Sequence, residues 1–170
     1  MSPPTPLEQL LSQCLRNLFS AETHRLRGLR RIASRVTDEG LREAVLSLAA
    51  LGELHLARLD LIAHRHRIKL TERGAHGMAG ILEGIDEVDP LFPCPRIADL
   101  YYAGLVGRCG AYLRSVYRSA LSLSARPGWA HAAASLEANL SEENESAGHL
   151  AAFSNPLPTT RTGQRFLALP

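Results

Sequence analysis

Apolar residues recur along this chain at steps of three and four, the spacing of a helix face, and no convincing two-residue alternation interrupts them. Leu7, Leu11, Cys14, Leu18, Leu29 and Ile32 predict an amphipathic helix to about Arg35, with Arg16, Arg27, Arg30 and Arg31 on the opposite face. Its start is written in "TPLE". Thr5 stands at the N-cap, Pro6 at the first helical position and Glu8 three residues after the cap, the pattern of a capping box. "VTDEGL" restarts the helix, with Thr37 or Asp38 as cap. Leu41, Val45, Leu48, Gly52, His55, Leu59 and Ile62 then form a bundle seam that ends in the basic stretch "HRHRIK", where the helix dipole favours positive charge. "GAHGMAGILEGIDEVD" predicts a shorter, glycine-rich helix, and the proline-dense "PLFPCPR" a connector. A helix from about Ile97 to Leu123, a break at "ARPGW" and a last helix from about Trp129 to Phe153 complete the pattern. The fold class is all-α: an antiparallel four-helix bundle with a short extra helix in the crossover, over residues 1–153, followed by a non-helical tail over 154–170.

Polar residues on these stripes carry the candidate chemistry. Glu22 falls on the apolar seam of the first helix, and an unpaired buried carboxylate costs several kcal/mol, so it must be paired, protonated or bound to a cation. His55 lies on the seam of the second helix, where it could face Glu22. A carboxylate and a histidine on facing helices can hold a metal. Each can equally be a satisfied core residue. "LSEENESAGHL" adds Glu142, Glu143, Glu145 and His149, with Glu145 and His149 one turn apart, or else a solvated acidic face. Glu83 of the short helix is a further inward candidate.

The helix from Ile97 argues the other way. It holds no glutamate and no histidine, its one acid is Asp99 near the start, and Gly104, Gly107 and Gly110 form a smooth ridge in its middle. The chain has no Glu-x-x-His, the pair a di-iron bundle needs from two of its helices. No phosphate loop, HExxH or GxSxG is present.

Composition narrows the classes. The 170 residues are 45% hydrophobic, enough for a sizeable core. The 19 basic and 17 acidic residues leave a net charge of +2, too balanced to argue for nucleic acid. Three cysteines without a CxxC pair read as reduced thiols in a cytoplasmic setting. Neither a signal peptide nor a membrane-spanning run is expected.

Four short motifs in order, "LFSAE" at 18–22, "LREAV" at 41–45, "HLARLD" at 55–60 and "GMAGILEG" at 77–84, resemble the YciF-type, stress-associated branch of the ferritin-like superfamily. The resemblance covers roughly residues 7–153 and implies a di-iron-type centre on a ferritin-like bundle. Glu22 and His55 match ligand positions of that family, and Glu142 and Glu143 match its acidic motif in the last helix. Leu51, Ala79, Gly107 and Gly110 stand where the family carries acids. The resemblance thus implies a dismantled centre, vestigial or weak, with Glu22, His55, Glu142, Glu143 and His149 as its candidate metal ligands.

The function expected is that of a degenerate, non-catalytic ferritin-like protein with a stress-associated structural or interaction role, without a cofactor, forming a homodimer or higher homo-oligomer. In that reading the glycine ridge and Tyr101, Tyr102, Tyr112 and Tyr117 serve packing or subunit contact. One alternative is an oxidase-like protein binding iron or manganese at an atypical site through Glu22 and His55. Another is a shell cargo that docks a protein partner through the apolar end of "TGQRFLALP".

Overall fold

A computed structural model describes residues 4–72 and 74–154. Five helices follow in order: α1 Pro6–Ala33, α2 Glu39–His66, α3 His76–Leu91, α4 Pro95–Ser124 and α5 Ala130–Ser154. No strand occurs among the described residues.

The helix starts follow the local chemistry of the sequence. Thr5 and Glu8 close the capping box in both directions, and Asp38, rather than Thr37, caps α2 by accepting from the Leu41 amide. Asp99 of α4 reaches back to the same place. Its carboxylate accepts from the Thr37 amide, the Thr37 hydroxyl and the Asp38 amide at 3.0, 2.7 and 2.8 Å. A residue read as an ordinary N-terminal acid of its own helix therefore ties α4 to the start of α2.

The expected connector "PLFPCPR" contracts. Leu91 still belongs to α3 and Pro95 already occupies the first turn of α4, where a missing N–H costs nothing.

Short links make α1–α2 and α4–α5 antiparallel hairpins, and the hairpins pack with α1 beside α4 and α2 beside α5. Helices α2 and α4 start at the same end, so α3 returns the chain along the outside of α1 and α4. Met78, Leu82, Ile85 and Val88 give α3 one buried stripe. It settles close to α1 because residue 28 is glycine: a Cβ there would lie 2.4 Å from Leu82 Cδ2. Glu83, an inward candidate, is exposed instead, because it lies off that stripe.

The core is built from Leu11, Leu15, Leu18, Leu29 and Ile32 of α1 with matching residues on the other helices. Leu7 is 55% exposed, so the seam of α1 begins one turn later than its first leucine. Tyr102 and Tyr117 are fully internal, while half-buried Tyr101 and Tyr112 fill the space beside Gly84 and Gly77 of α3. All four tyrosines thus pack within the bundle. At the far end, His66 stacks on Trp129 with ring centroids 3.6 Å apart and joins the end of α2 to the start of α5.

Candidate functional site

The centre of the bundle is a closed network of charged and polar side chains from all four long helices. Helical spacing puts Glu22 and Arg25 on one face of α1, one turn apart, and both are buried. His55 of α2 faces them. Its Nδ1 lies 2.9 Å from Glu22 Oε1 and its Nε2 lies 3.0 Å from Glu142 Oε2 on α5. Each ring nitrogen of His55 thus faces one carboxylate. From α4, the Tyr117 hydroxyl donates to Glu22 Oε1 at 2.7 Å and accepts from Asn139 Nδ2 of α5 at 3.1 Å. Arg58 closes the outer side, donating to both oxygens of Glu142 at 2.5 and 3.0 Å and to Asn139 Oδ1 at 2.8 Å.

Arg25 sits in the middle. Its Nη1 donates to Glu143 Oε1 at 2.6 Å, and its Nη2 stands 2.8 Å from Glu22 Oε2. The second contact is an ion pair without hydrogen-bond alignment: Glu22 Oε2 and Arg25 Nη2 and Nε have no hydrogen-bond partner. These charges must hold one another, because none of the three side chains is exposed by more than 2%.

The electrostatics differ between the two buried acids. Burial alone would raise the Glu22 carboxyl, but the Arg25 charge and the bonds from His55 and Tyr117 outweigh it and hold Glu22 below the usual range. Glu143 moves the other way: burial, reinforced by the Glu22 charge, exceeds the pull of Arg25 and pushes it up. Burial beside Glu22 also pushes the Tyr117 phenol well above its ordinary value, so it remains a hydrogen-bond donor.

Glu22, His55 and Glu143 each offer a ligand atom within 4.8 Å of the others. Glu142 joins through the second nitrogen of His55, while His149 is exposed on α5, outside this cluster. Exposed Glu145 accepts from Ser141 Oγ at 3.3 Å. The residues present do not fit a di-iron centre. Arg25 reaches both Glu22 and Glu143, and a metal between them would face a full positive charge at contact distance. On α2 the position that faces the network is Gly52, rather than Leu51. A Cβ on Gly52 would lie 3.6 Å from Arg25 Nη2 and 3.8 Å from Glu22 Oε2. On α4, Gly110 presents no side chain where its Cβ would stand 3.6 Å from Glu143 Oε2. The helix supplies the Tyr117 phenol to the network.

Sequence reasoning overlooked Arg25, Arg58, Tyr117 and Asn139 as members of this site. The signal for Arg25 was its spacing, three residues after a seam glutamate and seven before the seam residue Ile32.

The comparisons with known proteins agree with this architecture. The solved structure of the Escherichia coli stress protein YciF superposes with a TM-score of 0.82 at 20% identity, covering 89% of this chain and 96% of that one. YcfI from Rhodopseudomonas palustris, described as a proposed structural protein, superposes with a TM-score of 0.82 at 19% identity, covering 90% and 96%. No curated protein matches the chain in sequence. A family model described as a domain of unknown function, DUF892, matches residues 6–162. With the YciF-type bundle in place and almost the whole chain matched, this protein belongs to the DUF892 family.

Proposed function

We propose that this protein is a degenerate ferritin-like bundle without catalytic activity, in which a buried guanidinium stands where relatives would hold metal, and that its role is structural or interactive and stress-associated. The observation that carries the reading is Arg25 between Glu22 and Glu143. Two carboxylates that would otherwise recruit a cation already have one, tethered to the chain. The stress and structural associations rest on the descriptions of the two similar structures. We place the protein in the cytoplasm, in keeping with its three free cysteines and with the absence, among the described residues, of a helix long and apolar enough to cross a membrane. A homodimer or higher homo-oligomer is supported by exposed Leu46, Leu54 and Leu61 along one side of α2. The proposed docking tail lies outside the described residues, and deletion of residues 156–170 tests it through partner capture.

Elemental analysis after growth and reconstitution with iron, manganese and zinc tests the central claim. The wild type stays far below one equivalent, and Arg25→Ala, with Glu22, His55 and Glu143 left facing one another, takes up more. Near-stoichiometric metal in the wild type, lost in Glu22→Ala or His55→Ala, overturns this reading in favour of a metal-binding, oxidase-like protein. The proximity of Glu22, His55 and Glu143 is what favours that second reading.

A further inference from the structure

The side of α2 that faces away from the bundle is apolar. Leu41, Val45, Leu48, His55 and Leu59 turn inward and are buried. Leu46, Ala50, Leu54, Ala57 and Leu61 follow one another at steps of four, four, three and four, which makes a second helical stripe. At about 100° per residue, the two stripes lie on opposite sides of the helix. All five residues of the outer stripe are exposed, the three leucines by 48, 45 and 61%. The described helices that α2 packs on, α1, α4 and α5, leave it uncovered.

The pattern of the stripe says what fits it. Large and small residues alternate, and the order is the same read from either end, with Leu54 near the middle. A second copy of α2 laid antiparallel across it therefore sets Leu46 of one copy against Leu61 of the other, Ala50 against Ala57, and Leu54 beside its own counterpart. The alanines let the two backbones approach, and the leucines fill the grooves around them. Charge follows the same symmetry. Glu39 and Glu43 are exposed at the start of α2, and His64 and Arg65 are exposed at its end. An antiparallel copy brings the acidic start of each helix to the basic end of the other. A parallel copy would set acid against acid and base against base. Among the described residues, Glu43 and Arg65 form no ion pair within the chain, so both are available to a partner.

We propose that the outer stripe of α2 is a dimer interface, closed by a second copy of the same helix running antiparallel about a two-fold axis near Leu54. The proposal rests on the homo-oligomer reading above and gives it a surface, a partner helix and a register.

Sedimentation velocity of the full chain across the micromolar range tests it. The wild type sediments as a dimer. Leu54→Glu places two carboxylates together at the axis and weakens the dimer by about a hundredfold. Circular dichroism shows that variant folded, because the position is exposed in the single chain. Glu43→Arg and Arg65→Glu each set like charges against one another across the interface and weaken the dimer by about fivefold. The double variant recovers wild-type affinity. Residues 43 and 65 stand at opposite ends of one helix, so the rescue comes only from a second, antiparallel copy. A wild type that stays monomeric overturns the proposal together with the homo-oligomer reading, and leaves the stripe to the chain's own residues 155–170 or to a different protein. A dimer unchanged by Leu54→Glu overturns this interface alone. A double variant no tighter than either single variant overturns the antiparallel register, and the proposal with it. Should Leu54→Glu fail to fold, the charge exchange decides alone.

Discussion

Arg25 Nη1 lies 2.6 Å from Glu143 Oε1, so α1 and α5, which stand diagonally across the bundle, are joined at its centre by an ion pair that solvent does not reach. Removing one partner of such a pair leaves the other charge buried and uncompensated. Arg25→Ala should therefore cost about 3–5 kcal/mol of unfolding free energy. Urea unfolding checks this, and the double variant with Glu143→Gln should recover part of the loss.

The two buried acids make opposite contributions as pH changes. Glu22 is held below its unfolded value, so the stability it confers is present above the ordinary glutamate range and is lost as pH falls through the folded value. Glu143 is pushed above its unfolded value, so its contribution is full below that range and is lost as pH rises through the folded value. Unfolding curves over the acid range should show the advantage of wild type over Glu22→Gln shrinking as pH falls. The advantage over Glu143→Gln should shrink as pH rises.

Asp99 should behave as a structural fastener although it lies far from the network. Its carboxylate satisfies the Thr37 and Asp38 amides at the start of α2. Asp99→Ala should lower stability by about 1–3 kcal/mol, the cost of leaving such donors unpaired. Hydrogen exchange should show the loss concentrated in the first turn of α2.

Gly107 offers the contrasting case. A methyl group there meets nothing within 4 Å, and the helix interior penalises glycine. Gly107→Ala should raise stability by about 0.5–1 kcal/mol, read as a higher unfolding midpoint.

The architecture was legible because helix signals in this chain are local. The capping box at Thr5, the Asp38 cap and the three-and-four spacing of leucines each act over a few residues, and α1 and α2 start where they predict. Glu22 and His55 were visible as polar residues on apolar seams. Arg25 was hidden by company: α1 carries arginines at 16, 27, 30 and 31, all readable as a solvated face, and only its spacing from Glu22 and Ile32 sets the buried one apart. Its burial is decided by Glu143, 118 positions away. Asp99 was hidden in the same way, since its partners belong to another helix. Leu51 was singled out on α2, whereas Gly52 is the α2 position that faces the network. A one-residue step turns a helical position by about 100°.

A bound metal leaves a protein by dilution, by chelation or when the cell runs short of it, and the stability it lends falls with its concentration. The guanidinium of Arg25 cannot leave. Its effective concentration at Glu22 and Glu143 is fixed when the chain is synthesised, and it has no redox chemistry. On the function proposed above, the centre of this bundle is uncoupled from the cellular supply of iron and from chelators, and it is complete as soon as the helices meet.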